Sequence, residues 1–144
     1  MQKYVLFIGI DISKLWVDVC LCHDGQKKDL PHGRFDNDDK GFHRMLRFVS
    51  GHAGKLGLDG GWLFCMEHTG VYAMPLCRFL GEQRLDCVLE SALQISWSLG
   101  IRRGKSDRAD AADIARYAQK NHLQLRLYRT PSDRLLKIKH LLSR

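Results

Sequence analysis

The sequence predicts an α/β domain in which a mixed five-stranded sheet carries helices on both faces. Three observations lead there. Residues 5–12 form an almost unbroken apolar run rich in Ile and Val, the pattern of a strand covered on both sides. A second extended segment follows at once, and Asp24-Gly25 after it is a hairpin turn signal. Beyond residue 60, short apolar strands alternate with helical patterns, as crossover units between parallel strands require.

Taken in order, the first strand is broken by Ser13-Lys14. Residues 16–22 then alternate, with Val17, Val19 and Leu21 on one face. A third strand within 27–35 is weak and edge-like, because Pro31 and Gly33 interrupt it. Asn37 and Asp38 are capping residues for a helix over 40–49 whose apolar face is Phe42, Met45, Leu46 and Val49. Gly51, Gly54, Gly57, Gly60 and Gly61 mark 50–61 as a mobile loop. A strand over 62–66, a helix near 72–81, a strand over 85–89 and a helix over 92–99 follow. Residues 100–106 are a basic loop, 107–120 a strong helix, and Pro131 opens a last helix. Trp16, Trp62 and Trp97 sit among apolar neighbours and are expected in the core.

A chain of 144 residues fits one domain with a proper core. Its 44% hydrophobic and 27% charged content excludes a disordered chain. No apolar run reaches the ~20 residues of a membrane helix, and the N-terminus lacks the features of a secretion signal. A cytoplasmic protein is expected. Five cysteines within apolar segments read as buried free thiols; Cys20-Leu21-Cys22-His23 lacks the second pair that a zinc site needs. Residues 1–100 hold 11 Lys/Arg against 12 Asp/Glu, and residues 101–144 hold 12 against 4, so the whole net charge of +7 lies in the last third. That asymmetry suits a polyanion such as nucleic acid, or equally a solvated helical surface.

Four carboxylates stand where a domain rarely places charge. Asp11 ends the most hydrophobic strand, Glu67 ends the strand at 62–66, and Asp107 and Asp110 open a helix three residues apart. Each has an ordinary structural alternative: an Asx turn for Asp11, a loop acid for Glu67, a cap and a first-turn acid for the pair. Asp113 reads as surface or supporting. As a set, clustered carboxylates repel one another unless a hard divalent cation such as Mg2+ or Mn2+ offsets the charge, and such cations activate water toward phosphodiesters.

Gly9-Ile10-Asp11-Ile12-Ser13-Lys14, Glu67-His68-Thr69-Gly70-Val71-Tyr72 and Lys105-Ser106-Asp107-Arg108-Ala109-Asp110-Ala111 occur in that order. Together they resemble the three blocks of the DEDD transposases of bacterial insertion sequences, the group that includes the Piv-type DNA invertases. The likeness spans nearly the whole chain. It departs from the family at His68, where a small residue is usual, and at Ser106, where Thr is usual; neither change removes a carboxylate. The resemblance implies an RNase H-like (RuvC-like) fold, Mg2+ (or Mn2+) held by Asp11, Glu67, Asp107 and Asp110, and DNA strand exchange. It further implies a structured RNA partner, a homo-oligomer, and a helical linker leading to a domain with a nucleophilic serine. The last helix carries Leu135, Ile138 and Leu142 on one stripe with no cap after it. The sequence is therefore expected to be a piece of a longer protein, with a catalytic domain over 1–125 and the start of the linker over 126–144.

Lys14, Arg102, Arg103, Lys105 and Arg108 flank the acids and are candidates for nucleic-acid phosphates. Two other functions fit parts of the sequence. An actin-like phosphotransferase would share the first strand and its Gly-x-Asp, but needs further phosphate loops and a second domain. A non-catalytic nucleic-acid-binding module would need the basic residues and no cation.

Overall fold

A computed structural model gives the fold and describes residues 3–24, 30–68, 70–98 and 110–128. The order is β1 (Leu6–Ile12), β2 (Trp16–His23), β3 (His32–Asp36), α1 (Asp39–Leu56), β4 (Trp62–Glu67), α2 (Met74–Glu82), β5 (Asp86–Glu90), α3 (Ala92–Ser98) and α4 (Ala111–Asn121). A 3₁₀ turn over Gly70–Ala73 leads into α2. The strands form one sheet in the order β3-β2-β1-β4-β5. β2 is antiparallel to β1 and β3 to β2, whereas β4 and β5 run parallel to β1 and to each other. The mixed sheet and its covering by helices on both faces match the expectation from sequence.

Strand alternation splits the core in two. Leu6, Ile8, Ile10 and Ile12 of β1 point to the face covered by α1 and α2, where Phe42, Met45, Val49, Leu76 and Leu80 meet them. Phe7 of β1, with Leu63 and Cys65 of β4, points to the face covered by α3 and α4, against Ile95, Ile114, Ala115 and Ala118. α4 lies directly on β1. A Cβ built on Gly9 would stand 2.1 Å from the Ala111 carbonyl oxygen and 2.3 Å from the Ala115 nitrogen. Glycine at this position is what lets the helix backbone reach the strand.

Several element bounds differ from the sequence expectation. α1 extends seven residues beyond Val49, to Leu56, and Gly57 closes it with a left-handed φ of 70°. Gly51 and Gly54 therefore lie within a helix, not a loop; a Cβ at either meets nothing within 4 Å. Ala53 continues the buried stripe of Phe42, Met45 and Val49. Burying that stripe outweighs the ~1 kcal/mol that each glycine costs a helix. β3 lies at His32–Asp36, toward the end of its expected range. Trp16 and Trp97 are not core residues: they are 38% and 71% exposed. Trp97 lies two positions from the buried Ile95, so it points to the opposite side of α3. All five cysteines are buried and free. The expected helix beyond Pro131 lies outside the described residues.

Candidate active site

Asp11 and Glu67 close adjacent parallel strands. Ile10 pairs with Met66, so the next positions along, Asp11 and Glu67, lie side by side. Both follow the alternation of Phe7, Leu63 and Cys65 and face α4. The row continues in both directions. Asp18 of β2 pairs with Asp11, Arg34 of β3 pairs with Asp18, and Glu90 of β5 pairs with Glu67. At one level of the sheet, five neighbouring strands thus present Arg34, Asp18, Asp11, Glu67 and Glu90. In α/β sheets, the carboxyl ends of parallel strands are where ligands bind, because loops and helix starts converge there.

The members of this row differ in environment. Glu67 is 2% exposed, the sole buried charged residue among those described. Taking a carboxylate that far out of water costs free energy unless neighbouring charge or hydrogen bonds offset it. Glu90 accepts hydrogen bonds from the Tyr117 hydroxyl at 2.9 Å and from the Ser91 backbone N–H at 3.0 Å. Asp18 receives Arg34 bidentately, Nε at 2.8 Å and Nη2 at 3.2 Å, with His32 Nε2 at 3.6 Å. Asp18 is thus neutralised by its own strand partner. Asp11 sits between this paired acid and the buried Glu67.

Asp110 reaches the same place from above. It is the N-cap of α4, not a residue of its first turn, which corrects the expected helix start at Asp107. Its carboxylate accepts from the Asp113 N–H at 2.8 Å, and the Asp113 carboxylate accepts from the Asp110 N–H at 3.4 Å. This reciprocal box fixes the helix start and gives Asp113 a capping role. Because Ala111 lies over Gly9, the N-terminus of α4 is held two strand positions from Asp11. Asp11 and Asp110 line one hollow of about 290 Å³, together with Asp18, Cys20, His32 and Arg34. Burial first, then the Asp110 carboxylate, pushes the Cys20 thiol up to about 11. At neutral pH this wall of the hollow is a protonated thiol, a poor metal ligand and a poor nucleophile.

The site residues expected from sequence divide into three groups. Asp11 and Glu67 lie side by side at the carboxyl ends of β1 and β4, and Asp110 shares the hollow with Asp11, whereas Glu67 is not among the residues that line it. Lys14 is exposed in the tight turn joining β1 to β2, where the Ser13 N–H donates to the Trp16 carbonyl. Asp107, Arg102, Arg103, Lys105 and Arg108 lie outside the described residues. Among the described residues, no three His, Cys, Asp or Glu side chains form a metal cage. His68 is exposed, and its N–H donates to the Glu90 carbonyl, tying the β4 end to β5. Tyr72 is 42% exposed and Asn37 donates to its carbonyl oxygen. Asp18, Arg34 and Glu90 were not singled out from sequence. Glu90 carries the same signal as Glu67, an acid closing a short apolar run. The Asp18–Arg34 pairing depends on strand register and left no such trace.

The family model DEDD_Tnp_IS110, described as Transposase, matches residues 8–144. The chain belongs to this transposase family. No curated protein matches the sequence of the transposase. Among solved structures it is similar to Thermus thermophilus RuvC, with a TM-score of 0.53 and 9% identity over 85% of this chain and 99% of that one. It is also similar to T. thermophilus RuvC in complex with Holliday junction substrate, with a TM-score of 0.56 and 11% identity over 87% and 100% of the two chains. These likenesses establish a RuvC-like, RNase H-like fold, as expected. The family match sets aside the actin-like phosphotransferase. Among the described residues, no helix is long and apolar enough to cross a membrane.

Proposed function

We propose that this chain cuts and joins DNA phosphodiesters with the help of a divalent cation, Mg2+ or Mn2+, held by Asp11, Glu67, Asp110 and Asp107. The observation that carries the reading is the placement of Asp11 beside Glu67 on the α4 face, with Asp110 on the same hollow as Asp11. The donor set is oxygen alone, which suits a hard cation. Asp18 is not counted as a ligand, since both of its oxygens already hold Arg34. When bound, the cation would supply Lewis acidity toward a phosphodiester and lower the pKa of a bound water.

The chain's own residues would do the rest. Cys20, Ala111 and Ala112 form the less polar wall of the hollow beside the acids. The capping box fixes Asp110 in position, and Arg34 supplies positive charge opposite the acids. Lys14, Arg102, Arg103, Lys105 and Arg108 bind phosphates to either side of the reacting bond. The resemblance of the motif blocks supports a structured RNA partner from the element, a homo-oligomeric assembly, membership of the Piv invertase group and a serine-bearing domain beyond a linker; a domain division at 125/126 and a cytoplasmic location complete the reading.

The test is nicking of a four-way DNA junction by the purified chain in Mn2+. Cleavage that Asp11→Asn and Glu67→Gln each abolish, with unaltered DNA binding, supports the reading. Cleavage that persists in both variants refutes it. A chain that binds DNA equally with Mn2+ and EDTA, and never cleaves, belongs to the non-catalytic alternative.

A further inference from the structure

We infer that Arg34 is a substrate-binding residue whose guanidinium grips a DNA backbone phosphate over the hollow lined by Asp11 and Asp110. The inference rests on the proposed reading of that hollow as the DNA site. Arg34 stands on β3, at the end of the charged row farthest from Glu90, and forms the wall of the hollow across from the start of α4.

Three features separate it from an ordinary surface arginine. Its Nε and Nη2 bind the two oxygens of Asp18 side-on, which leaves the outer edge of the guanidinium, including Nη1, facing away from that carboxylate. Its guanidinium carbon lies 4.7 Å from the centre of the Trp16 ring. The side chain nevertheless remains 57% exposed. A guanidinium oriented by a carboxylate and an aromatic face, yet open to solvent on its outer edge, is already ordered for a second partner. Little conformational entropy is then lost when a phosphate arrives, and the fork geometry matches two phosphate oxygens.

Charge at the site points the same way. Asp11 and Asp18 face each other across β1 and β2, and Asp110 lines the same hollow, so a phosphodiester entering it meets three carboxylates. Arg34 offsets Asp18 and leaves a cation on the approach side. The Asp18 hydrogen bond first, and the Asp11 charge as well, raise the guanidinium pKa above its usual value, which places Arg34 within the field of Asp11. His32 lies beside the same carboxylate and is also exposed.

The test is fluorescence anisotropy of the full chain with a labelled four-way DNA junction in EDTA, across a salt series. Arg34→Ala should weaken binding about five-fold and lower the salt slope by about one, the signature of a lost phosphate contact. Arg34→Lys should keep the slope and lose about two-fold, because it retains charge without the fork. If Arg34→Ala does not fold, Arg34→Met carries the same test, since it keeps an apolar stem over Trp16. Parent affinity and parent slope in a folded Arg34→Ala or Arg34→Met overturn the inference, as does a parent chain that does not bind the junction. A separate Mn2+ titration of Asp11→Asn, without EDTA, distinguishes the two claims. Should that variant bind Mn2+ like the parent, the cation reading fails while a lost slope in the Arg34 variants still supports a phosphate grip.

Discussion

The Tyr117 hydroxyl of α4 donates to the Glu90 carboxylate at the end of β5, over 2.9 Å. The bond ties the helix that brings Asp110 to the strand that stands beside Glu67. Tyr117 is 2% exposed, so this hydroxyl has few routes to solvent. Tyr117→Phe removes the donor and should cost about 1–2 kcal/mol in urea unfolding. An unchanged midpoint would mean that the bond does not anchor α4.

Two glycines should respond in opposite directions. Gly9→Ala drives a methyl into the backbone of Ala111 and Ala115, which cannot move without lifting α4 off the sheet. A loss of about 3 kcal/mol or more, or failure to fold, is expected in thermal melts. Gly51→Ala places its methyl in open space within α1 and should stabilise by about 0.5–1 kcal/mol. Equal effects at the two positions would contradict the described packing.

Asp110 has two roles that substitution can separate. Asparagine caps helices as well as aspartate does, whereas alanine does not. Asp110→Asn should melt like the parent but bind Mn2+ more weakly. Asp110→Ala should also lose about 1 kcal/mol of stability. If Asp110→Asn bound Mn2+ like the parent, the carboxylate would be a cap alone.

The extent to which the site was legible follows from what each residue depends on. β1 and β4 announce themselves as apolar runs, and an acid that closes a buried strand is conspicuous, so Asp11 and Glu67 stood out. Their common face follows from strand alternation once β1 and β4 are parallel neighbours. Glu90 carries the same local signal as Glu67, and only its pairing opposite Glu67, which comes with strand register, places it in the row. Arg34 escaped because its meaning comes from register: it is the residue opposite Asp18. The glycines of α1 predict an early end because glycine preference is local, whereas the Ala53 contact that keeps the helix going is tertiary. The exposure of Trp16 is tertiary as well. It shares the α4 face with Cys20 but lies at the strand's start, where Arg34 covers it and 38% remains exposed.

Alkaline pH should weaken the fold in a definite window. Burial pushes the Cys20 thiol from 9.0 to about 11 and raises those of Cys22 and Cys65 as well. Above pH 9 the unfolded chain releases these protons and the folded chain retains them, so stability falls as pH rises. For Cys20 the contribution is complete below pH 9 and is lost on passing through about 11. Cys77 is shifted down by its contact with Cys87 and acts in the other sense, so a variant is needed to isolate one thiol. The urea midpoint should drop less between pH 8 and pH 10.5 in Cys20→Ala than in the parent. Identical drops would place the Cys20 thiol in a water-like environment.

Calorimetric titration of Mn2+ into the parent chain and into Glu67→Gln addresses the central claim most directly, since Glu67 is the buried member of the row. The parent should bind Mn2+ saturably, and Glu67→Gln at least about ten-fold more weakly. In EDTA the variant should be no less stable than the parent, because a buried negative charge has been removed. Equal Mn2+ affinity in the two proteins would contradict the assignment of these carboxylates to a divalent cation.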